Sequence, residues 1–86
     1  MGLVSTNIAF ATLDDANLTG ANLKGAILVY VDLTDANLTR ANLTNAMLED
    51  VDLSRADLSY ADLTNAFLED VDLEDANLTD VIGYTS

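Results

Sequence analysis

The sequence predicts an all-β solenoid of about four coils, each with four short sides, and three regularities carry that prediction. Leucine recurs at every fifth position from Leu13 to Leu78, with Ile8 starting the series. Two residues before each stands a small apolar residue: Ala at eleven of the fourteen positions from 11 to 76, and Val31, Val51 and Val71 at the other three. A longer period overlies the short one. Residues 43–53 (LTNAMLEDVDL) and 63–73 (LTNAFLEDVDL) agree at ten of eleven positions, twenty residues apart. Self-similarity this strict makes each pentapeptide one structural unit and excludes an ordinary globular fold.

The sides of the coil follow from the short period. On an α-helix, five residues advance the side chain by about 500°, so the leucines would scatter around the cylinder. On a continuous strand, residues i and i−2 share a face, but i+5 falls on the opposite one. Leucine and the alanine before it always point inward only if the chain turns once per pentapeptide. The outward positions are rich in Asp, Asn, Thr and Ser, which hydrogen-bond their own backbone in turns. Four pentapeptides fill the twenty-residue period, so the coil has four sides and residues i and i+20 stack about 4.8 Å apart. Repeats over about residues 6–82 give just under four coils, a rod roughly 19 Å long. One domain over 1–86 is expected, with 1–5 and 83–86 as irregular ends.

Runs such as Ala16-Asn17-Leu18-Thr19-Gly20, Ala36-Asn37-Leu38-Thr39-Arg40 and Ala56-Asp57-Leu58-Ser59-Tyr60 resemble the A-(D/N)-L-x-x signature of the pentapeptide repeat proteins. The resemblance covers about nine tenths of the chain. It implies a right-handed quadrilateral β-helix, in agreement with the four-sided coil. Members of that family with an assigned role include acidic proteins that protect DNA gyrase from quinolones by resembling DNA. Those members are considerably longer, which implies a long dimeric rod.

Composition narrows the function. Fifteen acidic residues against Lys24, Arg40 and Arg55 give a net charge of −12. That charge argues against direct binding of nucleic acid or anionic membrane and favours a cationic partner or simple solubility. The longest apolar run, Ala26–Val31, is far short of a membrane span. The first fifteen residues lack a basic leader segment, so a soluble, cytoplasmic protein is expected. With no His, no Cys and one lysine, the usual catalytic bases and nucleophiles are missing, and no enzyme activity is expected. Gly20, Gly25 and Gly83 form no phosphate-binding loop, and no cofactor or metal is expected.

Folding the sequence at twenty residues per coil yields two candidate surfaces. The first is an acidic ridge: Asp32, Asp52 and Asp72 in one column, Glu49 with Glu69 and Asp50 with Asp70 beside them, and Asp35, Glu74 and Asp75 next along the chain. A solvated surface, a protein partner that reads the ridge as a phosphate line, and weak binding of a hard divalent cation compete as readings. The second is apolar. Ile27, Met47 and Phe67 replace the usual polar residue before a leucine and stand beside Val29 and Tyr30, with Phe10 one coil below Tyr30. They either pack on their own stacked neighbours, or beneath residues 1–7, or form a partner face; self-association through this face is expected.

Other columns read as structure. Asn17, Asn37 and Asn77, with Asp57 among them, are expected to bond coil to coil through their amides. The valines fill one inner corner. Tyr60 stands between Arg40 and Asp80, and the sequons at Asn17, Asn37, Asn42 and Asn77 follow from the repeat itself. Residues 1–7 are expected to fold over one open end, and Ile82 with Tyr84 to cover the other; an uncovered end invites end-to-end stacking. The expected function is a non-catalytic structural or protein-interaction module. The alternative is an acidic DNA mimic that binds a topoisomerase such as DNA gyrase.

Overall fold

Each pentapeptide folds as one flat side and one corner. In Ala21-Asn22-Leu23-Lys24-Gly25, Ala21 and Leu23 turn inward and are buried, Asn22 faces outward, and Lys24-Gly25 make the corner. The last residue of each unit takes a positive φ, near 60° at Asp15, Asp35, Asn45 and Asp75, and 67° at Gly20. Asn, Asp and Gly recur there because they tolerate the left-handed backbone with little steric penalty. Phe10, Tyr30, Arg40, Arg55 and Tyr60 hold the same conformation at greater cost.

Four corners close one coil, and the coils stack in parallel. The computed structural model describes residues 2–84. On one side the rungs are long enough to form strands: β1 (Asn7–Ala9), β2 (Ile27–Val29), β3 (Met47–Glu49) and β4 (Phe67–Glu69). They pair in the order β1-β2-β3-β4, with Asn7, Ile27, Met47 and Phe67 in one register column. Single parallel bridges stack the other sides: Thr12–Asp32–Asp52–Asp72, Asn17–Asn37–Asp57–Asn77, and Gly2–Asn22–Asn42–Asp62–Ile82. The peptide groups lace the coils together. Leu23 N donates to Asn42 O at 2.7 Å, and Asn42 N donates back to Ala21 O at 2.9 Å. The whole is a right-handed quadrilateral β-helix.

The interior is two interleaved ladders, one of leucine and one of alanine or valine. Leu23 through Leu63 are almost fully enclosed, while Leu3, Ile8 and Leu13 at one end and Leu68, Leu73 and Leu78 at the other are partly exposed. Residues with a rung on both sides are the most completely sealed from water, although Leu18, with one, is 7% exposed. The molecule measures 27 × 23 × 20 Å, so four coils form a block about as tall as it is wide.

Both ends differ from the expectation. Gly2 bridges to Asn22, Leu3 N donates to Asn22 O at 2.7 Å, and Ser5 holds the corner φ of 55°. Residues 2–5 therefore continue the stack and do not fold over it; Leu3, five before Ile8, fills the leucine position. Ile82 still pairs with Asp62, but Gly83 occupies the next leucine place at φ 77°. A Cβ on Gly83 would lie 2.6 Å from Thr64 Cα, so only glycine permits this close approach. Tyr84 then packs on the core, whereas Ile82 stays exposed and covers nothing. Met1, Thr85 and Ser86, parts of the expected irregular ends, lie outside the described residues.

Candidate functional site

Three of the four sides carry one polar device. The outward Asn or Asp accepts, through Oδ1, from the backbone N–H and the hydroxyl two residues on. Asn42 takes these from Thr44 at 3.0 and 2.7 Å, and Asp52 from Ser54 at 2.9 and 2.6 Å. The residue spacing is that of an Asx-turn. The same corners are drawn in by a turn hydrogen bond, as where Ala36 N donates to Leu33 O at 3.0 Å. This corrects the expected amide ladder. Asn17, Asn37 and Asn77, with Asp57, each accept from the residue two ahead in their own coil. In this column peptide groups, not the amide side chains, join coil to coil.

The fourth side has neither device. Its outward column is Asn7, Ile27, Met47 and Phe67, with Ala9, Val29, Glu49 and Glu69 where the capping hydroxyl would be. At its corner, occupied by Phe10, Tyr30, Asp50 and Asp70, the turn hydrogen bond is missing: among the described residues, Ala11, Val31, Val51 and Val71 make no bond back to Ile8, Leu28, Leu48 or Leu68. Val31, Val51 and Val71 stand immediately after this corner. We refer to this as the open side.

The open side brings the expected apolar residues together. Ile27, Val29 and Met47 are half-buried against one another, and Phe67 is 54% exposed. Phe10 is 79% exposed and Tyr30 54%, and their rings stack with centroids 5.2 Å apart and planes 11° from parallel. The readings that hid this column beneath residues 1–7 fail, because Gly2–Thr6 run on as part of the first coil.

The acidic ridge divides into three kinds of residue. Asp32, Asp52 and Asp72 cap turns through Oδ1. Asp35, Asp50, Asp70 and Asp75 supply the left-handed corner residue. Asp35 is further tied by Arg55, whose Nε lies 3.1 Å from its Oδ1, so a cation interrupts the column Asp35–Arg55–Asp75. Glu49, Glu69 and Glu74 have no hydroxyl to cap a turn and no left-handed backbone, so turn chemistry does not account for them. Glu49 and Glu69 lie on the open side.

The caps also set the electrostatics. The Ser54 hydroxyl and amide, donating to Asp52, hold its carboxyl below the ordinary Asp range. The amide and hydroxyl of Ser59 do the same for Asp57, and those of Thr64 for Asp62. Among the described residues, no three acidic side chains converge into a cation shell.

A shallow depression of about 270 Å³ lies where the open corner meets the next side, lined by Tyr30, Asp50, Val51, Asp52, Asp70 and Asp72. It joins the apolar and acidic surfaces, which the sequence reading kept apart. Elsewhere, the Arg40 guanidinium sits 4.9 Å from the centroid of the Tyr60 ring, a cation–π pair that occupies both groups. The sequence showed the replacement of the polar residue at Ile27, Met47 and Phe67, but the missing hydroxyl two residues on, and with it the loss of the cap, went unread.

Comparison with known proteins bears on this geometry. The family model for pentapeptide repeats matches in eight copies, over residues 3–40, 16–55, 36–75 and 52–82. The fold is similar to that of QnrB1, a plasmid-mediated fluoroquinolone resistance protein, with a TM-score of 0.87 and 21% identity over 92% of this chain and 40% of that one. At that identity the likeness is one of fold alone. The pentapeptide repeat protein Rfr23 from the cyanobacterium Cyanothece 51142 is 32% identical, with a TM-score of 0.55, over 96% of this chain and 64% of its own. A pentapeptide repeat protein from the Arabidopsis thaliana thylakoid lumen is 31% identical, with a TM-score of 0.51, over 93% and 52%. The chain thus spans less than two thirds of the length of each. No protein of curated function matches the sequence.

Proposed function

We propose a function from one premise: the chain belongs to the pentapeptide repeat family. It acts as a non-catalytic protein-interaction module whose working surface is the open side. The observation that carries this reading is the column Ile27–Met47–Phe67, in places where the other sides hold capping Asn and Asp, with the stacked pair Phe10–Tyr30 at the adjoining corner. Giving up caps weakens turns, and the exposed parts of Phe10, Tyr30 and Phe67 bury nothing in exchange. A contiguous apolar patch of this kind is a mark of a protein interface. The lack of His and Cys leaves the common general bases and thiol nucleophiles out of reach.

The variant Phe67→Asn tests the reading, because it restores the residue that other sides carry and so preserves the coil. Sedimentation at rising concentration tests a second copy as partner, and affinity capture tests a different protein. A dimer or a captured protein that is lost with Phe67→Asn, yet kept with Asp57→Asn, supports the open side. Identical behaviour of wild type and Phe67→Asn in both assays overturns it.

One observation favours a second reading, the acidic mimic of DNA. Residues 63–82 hold Glu69, Asp70, Asp72, Glu74, Asp75 and Asp80 and no basic residue. A gyrase supercoiling assay decides it: neither inhibition nor protection at high protein concentration ends that reading.

A further inference from the structure

We infer that the partner of the open side is a basic amphipathic helix lying lengthwise along the stack, its apolar residues on Ile27, Met47 and Phe67 and its cations toward Glu49, Asp50, Glu69 and Asp70. This rests on the proposed function and adds the chemistry of the partner.

The side is graded along the stack. Its corner runs Phe10, Tyr30, Asp50, Asp70, and the position beside the corner runs Ala9, Val29, Glu49, Glu69. The two lower coils present aromatic and aliphatic groups, and the two upper coils present four carboxylates flanking Met47 and Phe67. Lys24, Arg40 and Arg55 all lie in other columns, Arg55 already bonded to Asp35. Among the described residues the four carboxylates have no counter-charge on their own side, and charge complementarity asks the partner for one. The depression beside Tyr30 gives a cation its seat. About 270 Å³ takes the head of a lysine or arginine, with the Tyr30 ring on one flank and Asp50, Asp52, Asp70 and Asp72 around it. The open side of a second copy supplies no cation, and set against itself it brings the same carboxylates together or lays them on Phe10 and Tyr30.

Backbone and spacing select a helix. The peptide groups of the open side are bonded coil to coil, as Tyr30 N to Glu49 O and Ile27 N to Thr6 O, so an added strand finds no free ladder there. Recognition falls to side chains set about 4.8 Å apart along the stack. Successive turns of an α-helix advance about 5.4 Å and stay within about 1.2 Å of register over three rungs. Same-face residues of an extended strand advance about 6.7 Å and drift by about 3.8 Å.

The test uses a fluorescent 18-residue helical peptide with leucine along one face and lysine flanking it, and its counterpart with glutamate in place of lysine, titrated by anisotropy against the full chain. The lysine peptide is expected to bind and the glutamate peptide not. Phe67→Asn and the pair Glu69→Gln with Asp70→Asn each weaken binding tenfold or more. The pair Asp57→Asn with Asp62→Asn, which removes equal charge from other sides, changes it less than twofold. Equal losses from both charge pairs, or full affinity in Phe67→Asn, overturn the helix proposal by showing attraction to net charge alone. A dimer abolished by Phe67→Asn, without peptide binding, also overturns it and leaves the interaction module standing. No binding and no dimer fells the proposal; it fells the module as well only where affinity capture is blind to Phe67→Asn.

Discussion

Asn42 and Met47 occupy equivalent places on consecutive sides of one coil, and their surroundings differ in everything except the core beneath. Asn42 closes its corner, accepting from Thr44 through Oδ1, and Ala46 N donates back to Leu43 O at 3.1 Å. Met47 closes nothing, and its corner at Asp50 is held only by bonds to neighbouring coils, such as Asp50 N to Glu69 O at 3.0 Å. Leu43 and Leu48 behind them are equally buried. The stack therefore tolerates one side without caps, because the interior and the coil-to-coil ladder continue unbroken. That side is free to carry residues chosen for something other than turning the chain.

The sharpest way to break this comparison is from inside. Leu58 backs a capped side and Leu48 the open side, both fully enclosed. Each truncation to alanine is expected to cost about 3 kcal/mol, read from the urea midpoint. A much smaller loss for Leu48→Ala would show that the slack corner loosens the core as well as the surface.

The next effect tests the caps. Asn42→Ala removes an acceptor of two hydrogen bonds and is expected to cost about 1 kcal/mol. Met47→Ala, on the same coil, is expected to cost less than half of that, by thermal denaturation. Equal losses would remove the distinction between the two kinds of side.

The smallest effect appears in acid. Asp52, Asp57 and Asp62 take up protons less readily when folded, because Ser54, Ser59 and Thr64 donate to their carboxylates. The unfolded chain then binds more protons just below the ordinary Asp range of ~3.9, so stability rises with pH there. Their contribution is complete above that range and is lost as pH falls through the lower folded values. Replacing all three by Asn keeps the Oδ1 acceptors and is expected to flatten this part of the pH–stability curve. An unchanged slope would place the acid sensitivity in other carboxylates.

Much of the architecture was legible because the core repeats at two commensurate periods. Leucine and alanine at fixed spacing determine which way every fifth side chain points, and the near-copy of 43–53 at 63–73 sets four sides to a coil. The stacking of Met47 on Phe67 was predicted from that period and is observed. The surface was less legible, since a column of like residues does not reveal what each side chain bonds. Asn17 and Asn37 read equally well as partners across coils or as caps within them, and only hydrogen-bond geometry separates the two. The acid at Asp35 read as one more member of a ridge, although Arg55 twenty residues on was visible and its bond to Asp35 was not. The open corner had a trace in the polar residue missing before Leu28, Leu48 and Leu68, which was read as an apolar face and not as the mark of a different turn.

The square cross-section has a further consequence for how such a chain changes length. Inserting or deleting twenty residues adds or removes one storey and leaves every façade in line. Inserting or deleting five keeps leucine over leucine, yet rotates all that follows by a quarter turn. The stripe of Ile27 and Met47 would then continue as Asn or Asp on the level above, and a different wall would inherit Phe67. A short indel in this protein is thus a rotation of its outer pattern around an undisturbed axis.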